Sequence, residues 1–553
     1  MIYQKSTEVD TLHQALQKLH VPKISITEQQ AAFFYRGFHN VNILAILVLN
    51  STLDFEIFKT LATTLDYMRQ TKILTIAMEV QDKQHFEMQL LQCCKSYNMT
   101  NVLLQFVCPE GETEFDALHM LKPYPQYHWS LITQAEVQNK SQYYPQHWKN
   151  MHNKTLLTYM DQSQTRSFFF KDTQGELKLN GYVTRLILLF AERFNASLRM
   201  AYPLSVESPT HFDAILVNMV RKNLLDLPMV MDTGYVGELW INWTDAYDYD
   251  LALLIVPCAQ VLSTREVYAI LLNEYFLGCI IVSTMLLSVL HSLIDYIFDD
   301  LWQPSRLLFS DRIFPGILGQ SFAGRSSHSR SLQIVYVLLF IVGLYFNTKF
   351  SVNVSTFLTS PPYHQQLETA DNIKRSSLKL LLHETEANHL SDFTVNFAKS
   401  IITTNNYTYL RELRQNLNTT YGYFSTLGVW QMLNRQQQFY TYKTFCTFDN
   451  LTLLPSLNWA IPLQQNSPYL EALNYLIHQV HAFGLKEAWI YSTFGDLLKL
   501  KQITLRDPYI DQGPKALIIN DLFWTWILLL CGLLASTLVF LVELVCRRIN
   551  QRN

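Results

Sequence analysis

Three long apolar runs decide what this chain can fold into. Residues 275–298, 332–358 and 522–545 each have the length and apolarity of a membrane-crossing helix. A hydrocarbon core of about 30 Å takes roughly 20 helical residues, because in lipid every backbone N–H and C=O must be satisfied within the segment. Buried core helices are the alternative, but soluble cores rarely need three such runs. A fourth apolar segment, RIFPGILGQSF at 312–322, lies between the first two runs. As a helix it would reach only about 16 Å, so it cannot cross.

Two signals set the expected topology. Arg547, Arg548 and Arg552 follow the last run and favour a cytoplasmic tail. Asn-x-Ser/Thr acceptors need an external or lumenal face. They occur at Asn50, Asn98, Asn139, Asn153, Asn195 and Asn242 before the first run, and at Asn406, Asn418 and Asn450 between the second and third. None falls in 299–331. The opening MIYQKSTEVDTLHQ lacks the apolar core of a signal peptide, and the six upstream acceptors are given precedence over that. The expectation is an outside amino-terminal region, a helix inward, a cytoplasmic-side segment, a helix outward, a large outside region and a helix inward.

On that topology the short segment starts and returns on the cytoplasmic side, so it reads as re-entrant. Irregular backbone at membrane depth is tolerated only where it is buried in protein or lines water. Gly316 and Gly319 permit a tight turn, and Gln320 near its apex offers amide dipoles to a passing cation without a fixed charge. These three residues are the candidate pore constriction; an amphipathic helix on the inner membrane surface is the other reading. The second run ends KFSVNVSTFLT, where Ser351, Asn353, Ser355 and Thr356 are costly against lipid but suited to a water-filled axis. They form the candidate gate, although a helix simply leaving the bilayer would also turn polar.

Composition narrows the class. Half the residues are hydrophobic (49%) and 16% are charged, against about 25% in soluble domains, which fits spans mixed with folded soluble parts. The net charge of −3 argues against nucleic acid as the main partner. The eight cysteines (93, 94, 108, 258, 279, 446, 531 and 546) show no zinc spacing, so no metal is expected, and their disulfide pairing is left open. In the first 150 residues, NILAILVLN, KILTIAMEV and NVLLQFVC read as strands, with helices between them over FEIFKTLATTLDYMRQ and DKQHFEMQLLQCCKSYN. That alternation predicts a small α/β domain with a parallel sheet.

The order of these features resembles the ionotropic glutamate receptors. KFSVNVSTFLT is similar to that family's gate motif SYTANLAAFLT, with Asn353, Phe357, Leu358 and Thr359 matching. RSLQIVY at 330–336 resembles the start of its second full span, and GYVTRLILLFAERFNASLRMAYP at 181–203 the first helix and next strand of its first lobe. LNWAIPLQQNSPYLEALNYLIHQVHAFGLKEAWI at 457–490 resembles the end of its second lobe, and 516–544 its final linker and span. The resemblance, over about 156–548, implies α/β architecture plus membrane helices. A bilobed, periplasmic-binding-protein-like ligand-binding domain would be split by two membrane helices and a re-entrant pore loop, with a third membrane helix at the carboxyl terminus. The implied divisions are an amino-terminal domain (1–150), lobe 1 (151–266), first span (267–298), pore loop (299–331), second span and gate (332–359), lobe 2 (360–518), third span (519–546) and tail (547–553).

Departures from the family narrow it further. The family's carboxylate-binding arginine has no counterpart, since 223–264 holds no Arg or Lys. Where the family's ammonium-binding acid is expected, YGYFSTL at 421–427 offers Ser425 and Thr426. The family's second-lobe disulfide has no partner cysteine between Cys446 and Cys531. Glutamate and glycine are thus poor ligands, and the pattern is similar to the divergent chemosensory ionotropic receptors of insects. That implies a subunit of a ligand-gated cation channel for taste or odour stimuli, in the plasma membrane of a sensory dendrite, in heterotetramers with co-receptor subunits. Pocket residues are unassigned; Trp240, Trp243, Tyr247 and Tyr249 could line it, with core packing the commoner role for aromatics.

The competing classes are weaker on the same residues. No HExxH, GxxxxGK[ST] or GxSxG occurs, so neither a catalytic residue nor a cofactor is expected. HETEA at 383–387 lacks the second metalloprotease histidine and reads as a solvated helix start. A small transporter would need more spans than three. A non-conducting ligand-binding or modulatory subunit differs from a pore-lining one in whether Gln320 affects ion selectivity.

Overall fold

The structure, a computed structural model, describes residues 2–4, 18–27, 42–50, 54–107, 118–132, 143–161, 165–171, 174–204, 213–233, 241–299, 310–322, 330–360, 362–507 and 523–550. The chain divides into two compact units. The first contains Met1–Ile255, Leu378–Phe439 and Leu451–Arg506, and the second Val256–Ser377, Tyr440–Asn450 and Asp507–Asn553.

The first unit is mixed α/β. At its amino-terminal end a seven-stranded sheet has the order Ser25–Thr27, Ile2–Gln4, Leu44–Asn50, Lys72–Met78, Val102–Val107, Leu118–Lys122, His128–Ile132. The first five strands run parallel and the last two add an antiparallel hairpin. Ala45 to Leu49 are buried without alternation, as a parallel strand covered on both faces should be. Helices Phe55–Thr64 and Lys83–Ser96 begin at Asp54 and Asp82, whose carboxylates accept from first-turn backbone N–H groups. Their apolar faces put Phe58, Leu61, Phe86 and Leu90 into one core with the strands.

Two further packing centres follow in the same unit. Helix Tyr182–Arg193 packs near the parallel strands Lys154–Thr158 and Ala196–Met200. It starts at Gly181, whose φ of +110° and contact with the Arg166 carbonyl leave no room for a side chain. Its core also includes Ile461, Leu463, Leu473, Leu476 and Val480. Residues 461–480 therefore share a core with residues that the sequence divisions placed in the other lobe. The reverse holds for Asp248–Pro257, which pairs over its first eight residues with Tyr421–Thr426 and Thr452–Trp459. Chain order misjudged both segments because antiparallel pairing and helix packing bring distant stretches together. Strands Lys379–His383 and Ile401–Thr404 extend that second sheet in parallel.

The second unit holds three helices long and apolar enough to cross a membrane, within 266–298, 330–357 and 525–548. Its covalent framework includes a disulfide between Cys258 and Cys446, a pairing the sequence left open. Ser263 and Glu266 cap the helix Thr264–Leu271 reciprocally. Helices Glu274–Asp299 and Arg330–Thr359 pack with the short helix Ile313–Ile317 around Ile280, Ile313, Ile317, Leu339 and Phe346.

Candidate functional site

A cavity of about 210 Å³ lies within the first unit. Its lining comes from five separated stretches, which include Arg166, Tyr182, Asp248 to Asp250, residues of helix Leu427–Gln437, and residues of helix Leu485–Lys499. Lys486 Nζ sits 2.8 Å from Asp248 Oδ1, and both side chains are about nine-tenths buried. The Tyr182 hydroxyl donates to the other oxygen, Asp248 Oδ2, at 2.9 Å. Burial and the Asp248 charge push the Tyr182 phenol far above its usual range, so it remains a donor.

Asp250 occupies the amino terminus of helix Leu427–Gln437, accepting from Leu251 N at 2.8 Å and Gly428 N at 3.3 Å. A helix amino terminus favours an anion, and here the protein supplies its own. Burial raises the Asp250 carboxyl, against lowering by the Leu251 hydrogen bond, the Arg166 charge and the Thr426 side chain. Arg166 stacks on Trp459 with its guanidinium 3.6 Å from the ring centre, and Arg435 stacks on Tyr491 at 3.8 Å. The cavity thus carries both signs of charge, largely engaged with neighbouring residues.

The aromatic candidates separate on these observations. Tyr249 is 66% exposed and lines the cavity, whereas Tyr247 is fully buried in the core and donates to the Tyr182 carbonyl. Trp243 is half-buried in the strand Ile241–Trp243 and is not among the lining residues, and Trp240 lies outside the described residues. Sequence reasoning missed Arg166, Arg435 and Lys486, because the search for a cation stopped at 223–264 while these come from other stretches. The only available signal was that Lys486 falls inside a segment already singled out by resemblance.

In the second unit the short apolar segment has a defined seat. Ser310 N donates to Ser288 Oγ of the first long helix at 3.2 Å, which ties down the entry. The helix Ile313–Ile317 ends in a turn where Gly319 has φ +71° and Gln320 N donates to the Pro315 carbonyl at 2.9 Å. Leu339, Gly343 and Asn347 of Arg330–Thr359, one helical turn apart, take this segment. A methyl on Gly343 would strike the Gly316 carbonyl oxygen, one on Gly316 would meet the Leu339 side chain at 2.6 Å, and one on Gly319 would lie 3.1 Å from Asn347 Cβ. Backbone rests directly on backbone at Gly343. Gly316, Gly319 and Gln320 are therefore brought together, with Gln320 exposed.

The four gate candidates all lie on the helix Arg330–Thr359, but on different sides. At about 100° per residue, Ser351 and Ser355 share a face while Asn353 and Thr356 point elsewhere. Ser351, Ser355 and Thr356 are exposed and Asn353 half-exposed, and the Thr356 hydroxyl donates to the Val352 carbonyl at 2.8 Å.

Two expectations require correction. Asn242 is only 2% exposed, in a strand paired with Pro462–Gln464, so a glycan cannot be attached there in this fold. Of the other acceptors, Asn153, Asn195, Asn406 and Asn450 are exposed, and Asn98 and Asn418 half-exposed. Asn139 and the Asn50 side chain lie outside the described residues. HETEA does start a helix at Glu384, which is exposed, but the start is solvated only in part: His383 is buried, and Glu386 pairs with Arg414 at 2.8 Å.

No protein-family model matches this chain, and no curated protein matches it.

Proposed function

We propose that this chain is a subunit of a ligand-gated cation channel that senses external chemicals, with a ligand other than glutamate or glycine. The observation that carries the reading is the seat just described. A short helix and positive-φ turn, too short to cross, lie against a spanning helix through glycine, and present an uncharged amide. Backbone of that kind at membrane depth needs protein or water around it, and a pore supplies both.

On this reading the first unit, bilobed and clamshell-like, receives a small polar molecule in the cavity of Asp248, Asp250 and Lys486. Closure pulls on the connections near Thr264 and Ser360, and the helices Arg330–Thr359 of a tetramer splay to open a path past Gln320. Family co-receptor subunits complete the assembly, in the plasma membrane of a sensory dendrite.

The test needs no ligand. Thr356→Arg places a side chain too large for a helix crossing at the end of the second span. Expressed with family co-receptors and confirmed at the cell surface, it should give a standing cation current under voltage clamp. Surface protein with no current in any combination would overturn the conducting reading and leave a non-conducting subunit in its place.

A further inference from the structure

The amide of Asn347 was not singled out by sequence, yet it lies against the turn that presents Gln320. A Cβ built on Gly319 would be 3.3 Å from both Cγ and Nδ2 of Asn347. Gln320 is the next residue in the chain. Both side chains are exposed, and among the described residues neither amide has a hydrogen-bond partner. An unpartnered amide within a membrane-crossing helix is costly against hydrocarbon, where nothing replaces its hydrogen bonds with water. Two such amides at one level point to a common polar surrounding.

Around the helix, Asn347 shares its face with Gly343 and Ser351, four residues away on either side, so this face meets the seat at one end. Lys349 points roughly 200° away from Asn347. Its amine lies 3.5 Å from the Tyr345 hydroxyl, on that other side. The charge of Lys349, two residues along the chain, is therefore kept off the face that carries Asn347, as suits a cation path.

We infer that Asn347 and Gln320 together form a cation-coordinating site, at which a partly dehydrated monovalent cation exchanges water for amide oxygens. This rests on the channel reading above and extends it to a second residue that sets ion selectivity. Each copy of this chain in the assembly contributes both amides, as adjacent uncharged oxygen ligands on its side of the path.

The experiment uses the full chain in the Thr356→Arg background, with co-receptors present and surface delivery measured. Relative permeabilities of lithium, sodium and caesium are read from bi-ionic reversal potentials. Asn347→Ala should change the caesium-to-lithium ratio severalfold. Asn347→Asp, which keeps size and adds a charge, should instead raise divalent permeability. Combined with Gln320→Ala, the effect of Asn347→Ala should be non-additive, as expected for two groups serving one ion. Lys349→Gln should leave the ratios where they were. If Gln320→Ala moves the ratios and neither Asn347 variant does, the inference fails while the channel reading stands. If surface-delivered Thr356→Arg protein carries no current, the channel reading fails and this site fails with it.

Discussion

In the cavity, Arg166, Arg435 and Lys486 are gathered with Asp248, Asp250 and Glu487; in the short apolar segment, residues 313–322 carry no charge at all. The cavity holds its shape by electrostatic pairing across stretches far apart in sequence. The segment holds its shape by close approach, with Gly316, Gly319 and Gly343 letting backbone lie where side chains would normally intervene. Each region is therefore fragile in the way the other is tolerant. Removing Lys486 from its pair with Asp248 should damage the cavity, adding a single methyl should damage the seat, and exchanging the two kinds of change should do little.

The largest effect is expected at Gly343. Its added methyl would meet a backbone carbonyl, which cannot rotate away, whereas the methyl of Gly316→Ala meets the end of a flexible leucine. On the proposed function, Gly343→Ala should abolish the standing current of the Thr356→Arg variant, and Gly316→Ala should only reduce it, with surface biotinylation as the control. Equal, small losses in the two variants would break the comparison from the membrane side.

Next comes the cavity's ion pair. Lys486→Met leaves Asp248 buried without its cation, a change that costs on the order of 3–5 kcal/mol when one partner of a buried pair is lost. Thermal unfolding of the full chain in lipid nanodiscs should show a clear fall in Tm, with the standing current retained in any protein that still folds. A smaller effect follows at Asp250. Burial raises this carboxyl in the folded protein, so its contribution is most favourable below the unfolded carboxylate pKa and is lost as pH rises through the folded value. Charged Asp250 thus lowers stability near neutrality. Asp250→Asn should raise Tm near neutral pH, and the gain should shrink as pH falls toward about 4. A gain that grew on acidification would contradict the assigned direction.

The smallest effect concerns the strand Ile241–Trp243, whose chain leads into Asp248. Glycopeptide mass spectrometry should find Asn406 and Asn450 occupied and Asn242 empty. Occupancy at Asn242 would mean that this strand is not buried as described, and would weaken the cavity built beside it.

The same two regions differ in how far the sequence revealed them. Spanning length, the turn at Gly319 and the amino-terminal strands all depend on residues within one stretch, and each could be read from periodicity and glycine placement. The alternating strand and helix pattern of 42–107 likewise maps directly onto the parallel sheet. The cavity could not be read this way. Arg166, Asp250, Gly428 and Lys486 meet only because 461–480 packs with helix Tyr182–Arg193 and Asp248–Pro257 pairs with Tyr421–Thr426. Asn242 fits every local rule for a glycosylation acceptor, and only its strand pairing with Leu463 shows that it is buried. Asn347 escaped notice for a related reason. Its significance comes from contact with Gly319, across a segment whose seat no local pattern encodes.

The central claim is that the short segment lines the conducting path. Gln320→Cys in the Thr356→Arg background tests it most directly, with a cationic, membrane-impermeant methanethiosulfonate applied to each face of the membrane. Native Cys279, Cys531 and Cys546 are exposed, so the parent without the new thiol is the control. The account predicts that the reagent suppresses the standing current of the cysteine variant alone. A thiol shown by mass to be fully modified, with the current unchanged, would contradict it.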